Sequence, residues 1–297
     1  MAGNSKKAVI YALVGNGIIS VLKFVAAFFT RSTSMMAEAI HSTSDCLNQV
    51  FLLIGSRRAN KDVSEEHPFG YGREEFFWAF MVAILLFFGG ALFSIYEGIL
   101  KTLHPEPIHH FWWAVSVLVV AILVEGKSFL VALGEMRKVS DTGFISSIKK
   151  SIDINLIVIL LEDAAALCGL VVALVCTLLA TVWPIFDAIG SILVGLILTY
   201  VSYSLVNELR KLIIGESMPR EARSRIKQMV GEYEVVTHVN RIKTMAMGKN
   251  KYLLLLSVNI DDFTKGYKIE DTVEEIKRDI IMEYPEVMEI FIEISGE

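Results

Sequence analysis

The 297-residue chain is 54% hydrophobic, with a mean hydropathy of +0.52 and a net charge of −5. Soluble domains sit near roughly 45–50% apolar, so part of this chain is expected in lipid, and without a long basic tract a nucleic-acid partner is not expected. Cys46, Cys168 and Cys176 lie in apolar runs without CxxC spacing, which indicates neither a disulfide framework nor a thiolate zinc site.

Taken in order, the chain predicts six apolar spans. Residues 9–29 form the first, interrupted by Asn16 and Lys23. Its basic start resembles a signal peptide only superficially, because the run is too long and no small-residue cleavage site follows. After a turn at Arg31-Ser32-Thr33, residues 34–55 form the second span. A polar loop, KDVSEEHPFGYGREE, leads to a third at 75–100, which holds Glu97. The Pro- and His-rich stretch KTLHPEPIHH suits a turn between membrane helices. The fourth span, 111–133, opens with Trp112-Trp113, an expected interfacial belt, and carries Glu125 and Lys127. The fifth, 154–183, contains Glu162-Asp163, and Pro184 and Asp187 open the sixth at 185–206. Each run reaches the ~20 residues needed to cross a bilayer core. The basic clusters at Lys6-Lys7, Arg57/Arg58/Lys61, Arg137–Lys150 and Arg210-Lys211 fall on one side of a six-span chain. Little beyond Arg31 and Lys101 falls on the other. That asymmetry places both termini in the cytoplasm.

From residue 211 onward charge is spread throughout. Residues 219–233 read as a helix, 235–247 and 251–260 as strands joined at Gly248-Lys249-Asn250, 269–284 as an amphipathic helix and 287–294 as a strand. This predicts a six-helix membrane domain over 1–210 and a small cytoplasmic α+β domain, helix–strand–strand–helix–strand, over 211–297. So small a core makes dimerisation an expectation.

The second span carries the chemistry. Glu38, His41 and Asp45 fall at i, i+3 and i+7, and helical rotation puts all three on one face. Such groups cost several kcal/mol each in hydrocarbon unless they meet partners, water or a metal. Imidazole with carboxylate is also a ligand set for a first-row divalent ion. The plainer reading is a polar face satisfied by neighbouring helices. The other intramembrane candidates are Glu162 and Asp163, which point about 100° apart. One is expected to meet His41 and Asp45, and the other a neighbouring helix, a partner or a water path. A salt link to Lys127 or Lys23 is the rival explanation. Glu97, Glu125 and Lys127 read as packing or pairing residues, His67, His104, His109 and His110 as loop residues, and His238 as lacking a ligand set.

SMMAEAIHSTSD on the second span, HPFGYGREE before the third, EGILKTLHPEPI after it and the acidic pair on the fifth together resemble the cation diffusion facilitator family, over nearly the whole chain. LLEDAAALCG is similar to its zinc-transporter-9-like members. The resemblance implies a homodimeric antiporter that exports a divalent metal, usually zinc, against protons. It also implies a tetrahedral site from one i, i+4 pair on the second span and another on the fifth. His41 and Asp45 match the first pair. On the fifth span Ile159 or Val158 stands where the partner of Asp163 or Glu162 would be, so the site uses Glu162 and Asp163 differently, recruits Glu38 or Asn155, or keeps a water. The gain in oxygen character moves it slightly towards manganese, iron or cobalt, with zinc still the first expectation. Ser257 and Glu293 stand where the family's tail often has histidines, which implies a dimer contact with little or no metal there. No HExxH motif supports a metallohydrolase, so an enzyme is not expected; a non-transporting scaffold is the second alternative. Compact loops and the lack of a targeting extension lead to the expectation of a prokaryotic plasma membrane.

Overall fold

The computed structural model describes residues 2–104, 110–139 and 154–296. These divide into two compact units, one of Met1–Ser56 with Phe77–Leu209, the other of Arg57–Phe76 with Arg210–Glu297.

The first unit is helical. Its elements are α1 (Ala2–Thr30), α2 (Thr33–Ala59), α3 (Glu74–Leu85), a π-helical stretch Leu86–Leu92, α4 (Phe93–Leu103), α5 (Phe111–Val139), α6 (Ile154–Leu179) and α7 (Ile185–Ile214). The six predicted apolar segments fold as helix, except that the fifth ends at Leu179 and residues 180–183 form a turn. By length and composition, four described helices can cross a bilayer: Glu74–Leu103, Phe111–Leu130, Leu160–Leu179 and Ile185–Ile214. The described apolar stretch of α1, Gly17–Thr30, is shorter. α2 falls outside this set because Glu38, His41, Asp45, Asn48 and Gln49 interrupt it.

α1 and α2 are separated by one tight turn. Arg31 adopts a φ of 52°, and Ser32 caps α2, its Oγ accepting from the Met35 amide at 3.2 Å. Such a cap satisfies an amide that the helix start leaves without a partner. α3 runs through the π-helical stretch directly into α4, and Ser94 Oγ donates back to the Gly90 carbonyl at 2.7 Å. α4 and α7 meet through small residues. A Cβ on Gly98 would lie 2.9 Å from the Ala188 carbonyl oxygen, and one on Gly195 equally close to that of Ala91. Only glycine permits so close a backbone approach, a common way for membrane helices to associate. α5 packs along α6, and α1 against α5.

The second unit contains α8 (Arg220–Gly231), β1 (Val236–Gly248), β2 (Lys251–Ile260), α9 (Gly266–Glu283) and β3 (Val287–Ile294). β1 and β2 pair antiparallel across a turn in which Asn250 takes a φ of 50°. β3 pairs parallel to β2, so α9 is the crossover that a parallel pair requires. Alternation along the strands gives the sheet two unlike faces. Leu254, Leu256 and Val258 are buried on the face covered by Ile226 and Val230 of α8 and Ile276 and Ile280 of α9. The opposite face carries rows Arg241–Ser257–Glu293 and Lys243–Leu255–Phe291.

The segment Arg57–Phe76 belongs to this unit. Gly72 lies directly against Gly248, leaving no room for a Cβ beside the Met247 carbonyl. Arg73 donates to the Ala246 carbonyl at 3.4 Å, and Phe69 meets Phe291 edge-on at 6.4 Å. The sequence reading made this stretch a plain polar connection; in the structure it is docked on the β1–β2 hairpin tip and β3.

Candidate metal site

The polar residues of α2 form two adjoining stripes, Glu38–Ser42–Asp45–Gln49 and Glu38–His41–Asp45–Asn48. Both follow the three- and four-residue spacing that brings helical side chains to one face. Asp45 and Ser42 of α2, Glu125 and Ser128 of α5, and Glu162 and Asp163 of α6 line one cavity of about 40 Å³. That is room for one ion or a few waters.

The acidic pair on α6 is thereby resolved. Both carboxylates reach the cavity, each steadied by a different helix. Glu162 Oε1 accepts from Asn48 Nδ2 at 2.6 Å, and Asp163 Oδ2 accepts from Ser128 Oγ at 3.1 Å. Among the described residues, neither has a Lys or Arg within 4.0 Å, so the expected rival, a salt link to Lys23 or Lys127, does not form. The side chains of Asn155, Val158 and Ile159 lie outside the described residues.

His41 is fully buried, and neither ring nitrogen has a hydrogen-bond partner. Its Nδ1 lies 3.6 Å from Asp45 Oδ1, beyond hydrogen-bonding distance, and that oxygen has no partner either. Buried polar atoms of native proteins are nearly always satisfied, so an unsatisfied adjacent pair marks a place where something else binds. Imidazole nitrogen beside carboxylate oxygen is a donor set that fits a divalent cation. As they stand, no three His, Cys, Asp or Glu side chains among the described residues converge on one point. Asp45, Glu162 and Asp163 border the cavity, whereas His41 is buried beside Asp45 and does not line it; the donors have not closed on a centre.

Glu38 is placed elsewhere. Lys23 of α1 is fully buried; its ammonium donates to Ser42 Oγ at 2.6 Å and lies 3.4 Å from both Glu38 Oε2 and Glu125 Oε1. From the sequence, Lys23 reads only as a rival partner for the acidic pair, and Glu125 as a packing or pairing residue; it pairs, with Lys23. The signal that could have linked them is charge balance: a lone lysine in an apolar run needs a carboxylate from another span. With Lys23 shared by Glu38 and Glu125, the carboxylates of Asp45, Glu162 and Asp163 keep no full cationic partner among the described residues. An excess of negative charge away from water attracts cations or protons.

Away from the cavity, Asp187 at the start of α7 is completely buried. It accepts from Ser32 Oγ at 2.5 Å, the Thr33 amide at 2.8 Å, Thr33 Oγ1 at 3.0 Å and Lys101 Nζ at 2.8 Å. Lys101 also donates to the Arg31 carbonyl at 2.6 Å. The sequence reading counted Lys101 among the charges of a loop; it is a buried ion-pair partner instead. Of the remaining histidines, His67 stacks on Tyr71 at 4.4 Å, His104, His110 and His238 are exposed, and His109 lies outside the described residues.

The family model for the cation efflux transmembrane domain matches residues 9–214. The chain is 31% identical to the mouse protein named proton-coupled zinc antiporter SLC30A9, mitochondrial, over 98% of this chain and 53% of that protein. It is 30% identical to metal tolerance protein C4 of Arabidopsis thaliana, over 84% of this chain and 56% of the relative. With the manganese efflux system protein MneP of Bacillus subtilis, identity is 22% over 98% of this chain and 96% of the relative. The chain thus spans about half the length of the mouse and plant relatives.

Proposed function

The chain belongs to the cation efflux family, and on that premise we propose that it is a divalent-metal transporter that exchanges metal for protons by alternating access, zinc being its first substrate. The observation that carries this reading is the acidic cavity between α2, α5 and α6 beside the unsatisfied His41–Asp45 pair. Asp45 and His41 act as ligands from α2 and Asp163 from α6, with Glu162 the adjoining carboxylate. Asp45, Glu162 and Asp163 already line the cavity, and His41, buried beside Asp45, turns towards it to join them on the metal. Ligation requires these groups deprotonated, so metal and protons compete for the same atoms, and exposing the site alternately to each side couples the two flows. The oxygen-rich donor set keeps manganese, iron(II) and cobalt as alternative substrates.

The transport domain spans 1–210 in six helices, α1 and α2 completing the four clear spans. The cytoplasmic domain spans 211–297, with 57–76 attached to it. The basic clusters keep both termini on the cytoplasmic side. The expectation of a prokaryotic membrane draws no support from the mouse relative, whose name places that protein in mitochondria.

Metal uptake into proteoliposomes under an imposed pH gradient tests the reading with zinc, manganese, iron(II) and cobalt. Gradient-dependent uptake of at least one ion, lost in Asp163→Ala, is expected. Folded protein that moves none of the four would hand the assignment to a non-transporting scaffold.

The working unit is a homodimer paired through the sheet face opposite α8 and α9, where Phe69 already meets the edge of Phe291. β1 presents Arg241 and Lys243 there, β3 presents Glu289 and Glu293, and Leu255 and Phe291 lie between. A two-fold axis parallel to the strands lays the basic column of one copy over the acidic column of the other, the self-complementarity that a two-fold dimer requires. Arg241→Glu with Lys243→Glu sets like charges opposite each other, which costs several kcal/mol at an interface. The variant is expected to run as a monomer by light scattering, at concentrations where the wild type is dimeric. A dimer as tight as wild type would remove this face from the interface.

A further inference from the structure

The buried triad of Lys23, Glu38 and Glu125 reaches the cavity from one side only. Glu125 and Ser42 line the cavity, whereas Glu38 does not. The Lys23 ammonium stands 3.4 Å from each carboxylate, longer than the ~2.7–2.9 Å of a committed charge-assisted bond. Its short bond goes to the neutral Ser42 hydroxyl, at 2.6 Å, and holds it between the two. Glu38 has capacity to spare, because its Oε1 is buried without a partner. Gly169 of α6 leaves space for that oxygen, since a Cβ there would come within 2.7 Å of it. The stem of Lys23 is fixed by α1, which is tied to α2 through Ser20 and Thr43 at 2.6 Å. The movable part is therefore the ammonium, and two carboxylates compete for it.

We propose that Lys23 is a tethered cation that shares Glu125 with the transported metal. Without metal, Lys23 holds Glu125; when metal enters, Lys23 withdraws to Glu38, and Glu125 becomes the donor from α5 that completes the site. This rests on the transporter reading and supplies what α6 lacks, a further ligand, from a third helix. It also gives the site a built-in competitor that helps the metal leave. Lys23 is in this sense a positioning residue and Glu125 a ligand.

The test uses the 297-residue chain, titrated calorimetrically in detergent with zinc and with manganese and assayed for metal flux in proteoliposomes, alongside thermal unfolding without metal. Glu125→Gln should weaken metal binding by ~10-fold or more, at least the scale of losing a group that supports a metal site, with unfolding close to wild type. Lys23→Met should bind metal more tightly by a similar factor yet release it more slowly, lowering KM and kcat together; Lys23→Arg should restore wild-type behaviour. Should Lys23→Met not fold, Lys23→Met with Glu38→Gln removes one charge of each sign and gives the same tighter binding. Wild-type affinity in Glu125→Gln, or in the double variant, overturns the proposal while leaving the transporter reading intact. Wild-type protein that binds neither metal removes both. Wild-type protein that binds metal as described but carries no flux removes the transporter reading alone.

Discussion

Asp45→Ala is expected to abolish metal-for-proton exchange and to leave the protein folded. Asp45 lines the cavity, and its Oδ1 is buried without a hydrogen-bond partner. Removing it takes an anionic donor from the site while breaking no bond that holds helices together. The loss in metal affinity should exceed the ~10–100-fold that removal of an outer-shell partner costs. Stability should move the other way, because a buried carboxylate without a full counter-charge is a burden on the fold. Thermal unfolding without metal is therefore expected at or above the wild-type temperature, with flux at background. Full flux in folded Asp45→Ala would remove α2 from the site.

Asp187→Ala should do the reverse and damage the fold before the chemistry. The Asp187 carboxylate gathers Ser32, Thr33 and Lys101, joining the α1–α2 turn, the end of α4 and the start of α7. It also sits at the N-terminus of α2, where the helix dipole favours an anion. Its removal leaves Lys101 buried and uncompensated, which costs about 3–5 kcal/mol, a fall in Tm on the order of 10 °C for a chain of this size. The second change Lys101→Met should recover much of the loss, since replacing both partners of a buried pair is far milder than removing one. A double-mutant cycle by thermal unfolding reads this coupling. A single variant as stable as wild type would mean that the cluster does not hold these helices.

What could be read from the sequence was what local spacing encodes. The polar face of α2 follows from the positions of Glu38, His41 and Asp45, the strand 251–260 from the apolar run YLLLLSVNI after the Gly248-Lys249-Asn250 turn, and the strand 287–294 from alternation; their limits match β2 and β3. Long-range choices were not legible. Lys23 and Glu125 are 102 residues apart, and no periodicity announces that they meet. Glu162 and Asp163 could be placed on a helix, but which carboxylate faced which neighbour depended on Asn48 and Ser128. Lys101 looked like a loop charge because burial by three other elements leaves no mark on its own neighbourhood. The docking of 57–76 was invisible for a similar reason, since Gly72 and Gly248 touch through backbone and have no side chain to signal it.

On the proposed reading, one set of carboxylates and His41 holds either the metal or protons. Zinc titrated into lightly buffered, detergent-solubilised protein tests it most directly, with released protons followed by an indicator dye. Proton release is expected to track metal binding and to disappear in Asp45→Ala. Zinc that binds at this site without releasing protons would contradict it.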